Sequence, residues 1–356
     1  MPQHQSGEYQ VYIGSYAPET AAGIYQFALR RESGELQRKR ELTGVENPSF
    51  LEVNPEETRL YAVSETGQGK VVGIAIEPSD GLRILDGQPT LGGAPCHLRL
   101  CGDDRLLVVA NYNGGNIVLY PIEADGGIGP LACEIKHTGS SVNPERQERP
   151  HPHSVFPDPS GHFVLVPDLG TDQIMVYRLD RAARKLSLHR EVAARSGSGP
   201  RHLAFHPAGD ALYVIHELDS TVTSYTYDAA SGELKEQDTC STLPADYNGW
   251  NGCAEIKVSP CGRYLYASNR GHDSIAVFAI AEDRVLLTAT QHVSSGGKTP
   301  RNFALTPDGA YLIAANQDSD TIVTFAVDPD TGKLTETARE TGVPKPVCIR
   351  VAAQEK

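Results

Sequence analysis

The 356-residue chain is predicted to be all-β: a single domain, residues 1–356, folded as a seven-bladed β-propeller with four antiparallel strands per blade. Three observations predict it. First, a unit typified by GPRHLAFHPAGDALYVIHELDS (199–220) recurs along the chain, anchored at Pro48, Pro95, Pro152, Pro200, Cys253, Pro300 and Pro346, with steps of 46 to 57 residues. A fixed period of this size marks a propeller or a solenoid. Second, each unit holds four strand-like runs, which suits a propeller blade rather than a helical repeat. Third, no long stretch has helical periodicity.

The elements follow in order. Before the first anchor come three strands, Tyr9–Tyr16, Gly23–Arg30 and Glu35–Gly44, with no first strand. The first anchored unit reads Phe50–Val53, Arg59–Ser64, Lys70–Glu77 and Leu82–Leu91. Turn signals separate third from fourth strands: RESGEL at Arg31, EPSDGL at Glu77, EADGGI at Glu123, DAASGEL at Asp228 and DPDTGKL at Asp328. DRAARKL at Asp180 and AEDRVL at Ala281 take the same place without glycine. The typical unit has strands Arg201–Phe205 and Ala211–His216 around the turn His206–Asp210. After the last anchor only Val347–Ala352 remains. Six internal blades plus one shared by the two ends make seven. Sharing a blade removes the exposed sheet edges of an open ring, so the tail to Ala352 is expected to matter for stability.

Two segments lengthen the repeat: Ile128–Pro152, and Leu243–Cys253 with the only tryptophan, Trp250. The first runs directly into His151 and His153 and is expected at the binding mouth. Trp250 is expected to pack.

The formal charge of −13 argues against a nucleic-acid surface. The polar opening MPQHQSGEYQ lacks the apolar core of a signal peptide, and no run is long enough to span a bilayer. Seven cysteines with no CxxC pair suit a reducing compartment, so a cytoplasmic, membrane-free protein is expected. Closed propeller edges need no partner chain, which makes a monomer the default.

In a propeller the first strand lines the channel, and the end of the second strand lies beside its beginning. Repeat alignment therefore gathers Ser49, Cys96, His153, Arg201, Ala254, Arg301 and Val347 in one ring. The next ring is Phe50, His97, Ser154, His202, Glu255, Asn302 and Cys348. Second-strand ends bring Glu65, Asn111, Asp168, His216, Glu217, Asn269, Arg270, Asn316 and Gln317 to the same mouth. His206 and His162 fall in turns and are expected to face solvent. Asp219–Ser220, Asp273–Ser274 and Asp320–Thr321 read as structural turns, and the three asparagines fit turn formation at least as well as ligand binding.

The segments RPHPHSVFPDPSG, GPRHLAFHPAGDALYVIHEL, SNRGHDSIAVF and TPRNFALTPDG resemble the lactonase family of seven-bladed propellers, in order and over nearly the whole chain. That family includes propeller-type 6-phosphogluconolactonases and fungal carboxy-cis,cis-muconate cyclases. The resemblance implies an active-site histidine, arginine and glutamate at His153, Arg201 and Glu217, with Arg270 and Arg301 at the mouth. His97, His202 and Asn269 complete the candidate substrate-binding set.

These residue types suit lactone opening. Arginines stabilise the charge that develops on the attacked carbonyl oxygen and match phosphate or carboxylate groups; Arg201 and Arg301 come first for that role. His153 titrates in the range a general base needs. Glu217 has three open roles: orienting His153, pairing with Arg201, or serving as base. Arg201 and Glu217 also make sense as a structural ion pair. No cofactor is implied. His151-x-His153 lacks the partners of a closed zinc set, so no metal is expected. The expected reaction is hydrolysis of a sugar-acid lactone, 6-phospho-D-glucono-1,5-lactone first. The alternatives are a cyclase or lactonase of aromatic degradation, and a non-catalytic propeller scaffold.

Overall fold

A computed structural model describes residues 7–77, 81–103 and 105–352. They form seven four-stranded antiparallel sheets, and the one helical element among them is a 3-10 turn at Gln317–Ser319. The innermost strands are Leu51–Val53, Pro95–Cys101, Phe156–Pro157, Pro200–Phe205, Gly252–Val258, Pro300–Leu305 and Pro346–Val351. Three residues of the EPSDGL turn, 78–80, lie outside the described residues. Among the described residues, no helix is long and apolar enough to cross a membrane.

The ring closes as the repeat requires. Pro346–Val351 pairs antiparallel with Glu8–Ser15, setting Val11 against Val351 and Ile13 against Ile349. A Cβ on Gly14 would meet the Pro48 carbonyl oxygen at 2.2 Å, so only glycine lets this strand approach the next anchor.

Apolar clusters fill the spaces between adjoining sheets. One joins Tyr12 and Ile24 of the closing blade to Leu60 and Val63 of the next and Leu98 and Leu107 of the one after. Buried second-strand tyrosines add a repeated tie, because a buried phenol needs a partner. Tyr61 donates to Gly126 O (2.9 Å), Tyr213 to Arg284 O (2.8 Å), Tyr266 to Gly332 O (3.0 Å) and Tyr311 to Arg31 O (3.0 Å). Each acceptor lies in the third-to-fourth turn of the following blade.

The anchors position the mouth. Asn47, Ala94, Gly199, Thr299 and Lys345 each precede an anchor proline and have φ between 42° and 65°. That conformation costs a non-glycine residue about 1–2 kcal/mol. Hydrogen bonds offset the cost. The carbonyls of Asn47, Ala94, Gly199 and Thr299 accept the amides of Glu65, Tyr112, Glu217 and Gln317 at 2.8–3.0 Å. Aspartates of the preceding blade hold the anchor amides: Asp172 takes Gly199 N (2.7 Å), Asp273 Thr299 N (2.8 Å) and Asp320 Lys345 N (2.7 Å). Asp273 and Asp320 are therefore structural, as expected. The same bonds fix where Glu65, Tyr112 and Glu217 begin relative to the inner strands.

Candidate active site at the channel mouth

Directly after several anchors the inner strand bulges. The register shifts between Pro95 and His97, Pro200 and His202, and Pro300 and Asn302. The skipped residues are Cys96, Arg201 and Arg301. A bulge of this kind re-aims a side chain, here into the channel. Cys96, Arg201 and Arg301 line one void with His153, His202, Ser49, Phe50, Glu65, Asn302 and Val347. The empty space is about 260 Å³, and its accessible part has room for about one water.

Glu217 is the hub. Its Oε2 accepts from Arg201 Nε (2.9 Å) and forms an ion pair with Arg270 Nη2 (2.9 Å). Its Oε1 accepts from Arg146 Nη2 at 2.6 Å. Burial alone would raise this carboxyl, but Arg270, Arg201, His153 and Arg146 outweigh it and hold it well below the usual range. Of its three open roles the contacts favour pairing. Glu217 is a carboxylate saturated with guanidinium.

Arg201 is committed as well. Nη1 donates to Ala254 O (2.7 Å) and to His202 Nε2 (3.2 Å). The His202 ring must accept there, so it carries its proton on Nδ1 and donates to Glu255 Oε1 (3.1 Å). Burial and the Arg270 charge lower Arg201 to about 10, against the pull of Glu217. Arg270 is fixed through Gly252 O (3.0 Å) and Cys253 O (2.9 Å).

Arg301 differs. It makes no hydrogen bond among the described residues; its guanidinium lies 5.5 Å from the centroid of the Tyr16 ring. Tyr16 in turn donates to Glu65 Oε2 (3.0 Å). Burial opposes the charge on Arg301, but Tyr16, Glu65 and Glu217 more than restore it.

His153 sits edge-on to Tyr112 and to His202, with ring centroids 5.3 Å apart in both cases. Its backbone is tied to Pro167 O (3.0 Å). Burial and Arg201 keep the imidazole well below its ordinary pKa, so it rests neutral. The Cys96 thiol donates to His153 O (3.1 Å) and is pushed up by burial and Glu65, so it too is neutral.

Other expectations fare differently. His97 lies beneath the mouth, against Phe50 (4.0 Å) and Phe156 (4.9 Å), and accepts from Val155 N (3.3 Å). It forms the floor and does not line the void. Asn269 does not join the set. Its amide donates to Thr242 O (2.9 Å), as Asn111 does to Thr90 O and Asn316 to Ser295 O, and its Oδ1 accepts from Thr242 and Asn251. The asparagines staple strand ends. His216 bonds Thr223 (2.9 Å), and Asp168 holds His151 N and His137 Nδ1 (2.8 and 2.6 Å). His206 is buried rather than solvent-facing, bonded to Gly262 O (3.0 Å) under the next blade's turn. Trp250 is 73% exposed rather than packed. Among the described residues no group of three or more His, Cys, Asp or Glu could hold a metal ion.

Sequence reasoning missed Arg146, Tyr112 and Tyr16. Arg146 comes from the first insertion, as the mouth placement of that loop implied. Its repeat-breaking position gives no register from which to aim it. Tyr16 and Tyr112 follow strand ends in the same register as Glu217, and the alignment could have found them.

The chain has relatives across its whole length. Residues 10–351 match the family described as "Lactonase, 7-bladed beta-propeller". A Bacillus subtilis 6-phosphogluconolactonase is 34% identical over 298 residues, 83% of this chain and 84% of that protein. A Bacteroides fragilis protein proposed to be a 6-phosphogluconolactonase superposes with TM-score 0.91 at 34% identity, covering 99% of this chain and 100% of that one. The periplasmic gluconolactonase of Pseudomonas aeruginosa does so with TM-score 0.91 at 31% identity, covering 97% and 99%. The chain belongs to the lactonase family of seven-bladed β-propellers.

Proposed function

We propose that the protein hydrolyses a sugar-acid lactone, 6-phospho-D-glucono-1,5-lactone to 6-phosphogluconate, at this mouth. The observation that carries the reading is Arg301, a partly buried guanidinium without a hydrogen-bond acceptor among the described residues, on the same void as a neutral His153. Arg201 and Arg270 are already bonded to Glu217 and backbone, which leaves Arg301 the donor best placed for a developing oxyanion.

In this mechanism His153 takes a proton from water as the water oxygen bonds to the lactone carbonyl carbon. The carbonyl oxygen becomes anionic against Arg301. The tetrahedral intermediate collapses, the ring C–O bond breaks, and protonated His153 returns its proton to the departing ring oxygen. The product is a hydroxy acid that ionises to its carboxylate. Glu217 holds Arg201 and Arg270 in place. No electron is gained or lost, so no redox group is needed. Seven cysteines, none in a disulfide, support assigning the reaction to the cytoplasm.

The test is a rate assay with freshly made 6-phosphogluconolactone and, in parallel, carboxymuconate. His153→Ala should lower kcat about 10²–10⁴-fold and Arg301→Ala about 10²–10³-fold, each with a near-normal melting temperature. Unchanged turnover in both variants would remove this assignment. Turnover of carboxymuconate alone would move the reading to the cyclase branch.

A further inference from the structure

The mouth carries more positive charge than it neutralises. Three guanidiniums, of Arg146, Arg201 and Arg270, meet the single carboxylate of Glu217. That group is doubly cationic, in a chain whose formal charge is −13. The fourth arginine, Arg301, has Glu65 for its counter-charge, through the intervening Tyr16. The excess therefore sits on the Glu217 side of the mouth. Such a cluster is costly to hold without a further anion.

The three arginines are not equivalent. Arg201 is buried, Arg270 is nearly so, and both are bonded to backbone carbonyls, so neither can turn without leaving a carbonyl unpaired. Arg146 is 40% exposed along its side chain and touches only side chains: Nη2 reaches Glu217 (2.6 Å) and Tyr112 Oη (3.3 Å). Its Nε and Nη1 make no hydrogen bond among the described residues. Its backbone is held, since Arg146 N donates to Asn143 Oδ1 (3.1 Å) and Gln147 next to it is fully buried. A fixed backbone carries a side chain that can turn, with two donors to spare, on the outer side of Glu217.

We propose that Arg146 is the specificity-determining residue that binds the anionic tail of the substrate, a phosphate monoester dianion, as the missing counter-charge of the Glu217 cluster. This rests on the lactonase reading. A planar guanidinium matches two phosphate oxygens at once. When it turns to them, Glu217 Oε1 is released. Arg201 and Arg270 still neutralise Glu217, so the switch leaves no carboxylate stranded. Tyr112, freed from Arg146, keeps its hydroxyl beside the guanidinium and can follow it to the phosphate.

The test separates this proposal from the reaction it rests on. Calorimetry measures the dissociation constants of 6-phosphogluconate and of gluconate for the wild-type chain, Arg146→Ala and Arg146→Lys. Kinetics measure kcat/KM for 6-phosphogluconolactone and for unphosphorylated glucono-1,5-lactone. The wild type should prefer the phosphorylated member of each pair. Arg146→Ala should cut that preference at least tenfold, and Arg146→Lys, which keeps the charge and loses the fork, by a smaller factor. A preference unchanged in Arg146→Ala, or no preference in the wild type, overturns the proposal. If the wild type opens neither lactone, the hydrolase reading falls, and the ratio of the two dissociation constants still decides Arg146.

Discussion

Two loops interrupt the repeat, and they end differently. Residues 137–152 fold down onto the mouth and deliver Arg146 to Glu217; residues 243–251 end in an indole that is 73% exposed. Length does not explain the difference. The first loop has buried polar anchors with several partners each. His137 donates to Asp168 (2.6 Å) and accepts from Tyr177 (2.9 Å), and Gln147 reaches Leu169 O (2.9 Å). Asp168 also takes His151 N (2.8 Å) and Gly170 N (3.0 Å). The second loop has one comparable residue, Asn251, bonded to Ser220 and Asn269 at its base. Its tip is tied to itself, Tyr247 Oη to Trp250 O (2.8 Å), and makes one ring contact outside, Tyr247 edge-on to His272 (4.6 Å). An insertion contributes a positioned side chain when its interior is pinned by groups that cannot be left unpaired in the dry interior.

The comparison can be broken by cutting the pins. Asp168→Ala removes the acceptor of three buried donors and should cost about 3–5 kcal/mol in urea unfolding, with a parallel loss of the Arg146 contact. A loss below about 1 kcal/mol would mean the loop is held by something else.

Acid sharpens it by probing buried histidines of the blades themselves. Burial lowers His202 and His216 to about 4, and holds His97 and His153 well below their ordinary value. The unfolded chain then binds protons that the folded chain refuses. Stability present above the unfolded pKa of ~6.5 is lost as pH falls toward 4, by roughly 2–3 kcal/mol each for His202 and His216, with His97 and His153 adding in the same direction. The urea midpoint should drop steadily across that window. A flat profile from pH 6.5 to pH 4 would contradict the neutral, buried state of these rings.

The smallest effect belongs to the second loop. Trp250→Ala should change stability by less than about 0.5 kcal/mol, the ordinary size of a surface substitution, and its melting curve should overlay that of the wild type.

The fold was legible because the repeat is written in backbone chemistry. Anchor prolines, glycine turns and alternating apolar runs recur, and Arg59–Ser64, Lys70–Glu77 and Ala211–His216 are strands at the expected residues. The exceptions are local. The third inner strand is regular only at Phe156–Pro157, with an isolated bridge from Pro152 to Asp168, because Pro150, Pro152, Pro157 and Pro159 remove the amides a continuous ladder needs. The site was legible where the register carries it: Arg201, Glu217, Arg270, His153, His202 and Arg301 come together. It was illegible where a side chain chooses between neighbours. Asn269 looks identical in sequence whether it faces a substrate or the Thr242 carbonyl. Glu217 could not reveal that three arginines would claim it, since one of them arrives on a loop outside the repeat.

The shared blade has a consequence for synthesis. Six sheets can assemble while the chain is still being translated, but Glu8–Ser15 finds its neighbour only after residue 351 has left the ribosome. Until then its edge amides and carbonyls stand open, and the pairing that covers them spans nearly the full contour of the polypeptide. Pairing at such long range slows folding, and an open sheet edge exposes the unfinished ring to other chains.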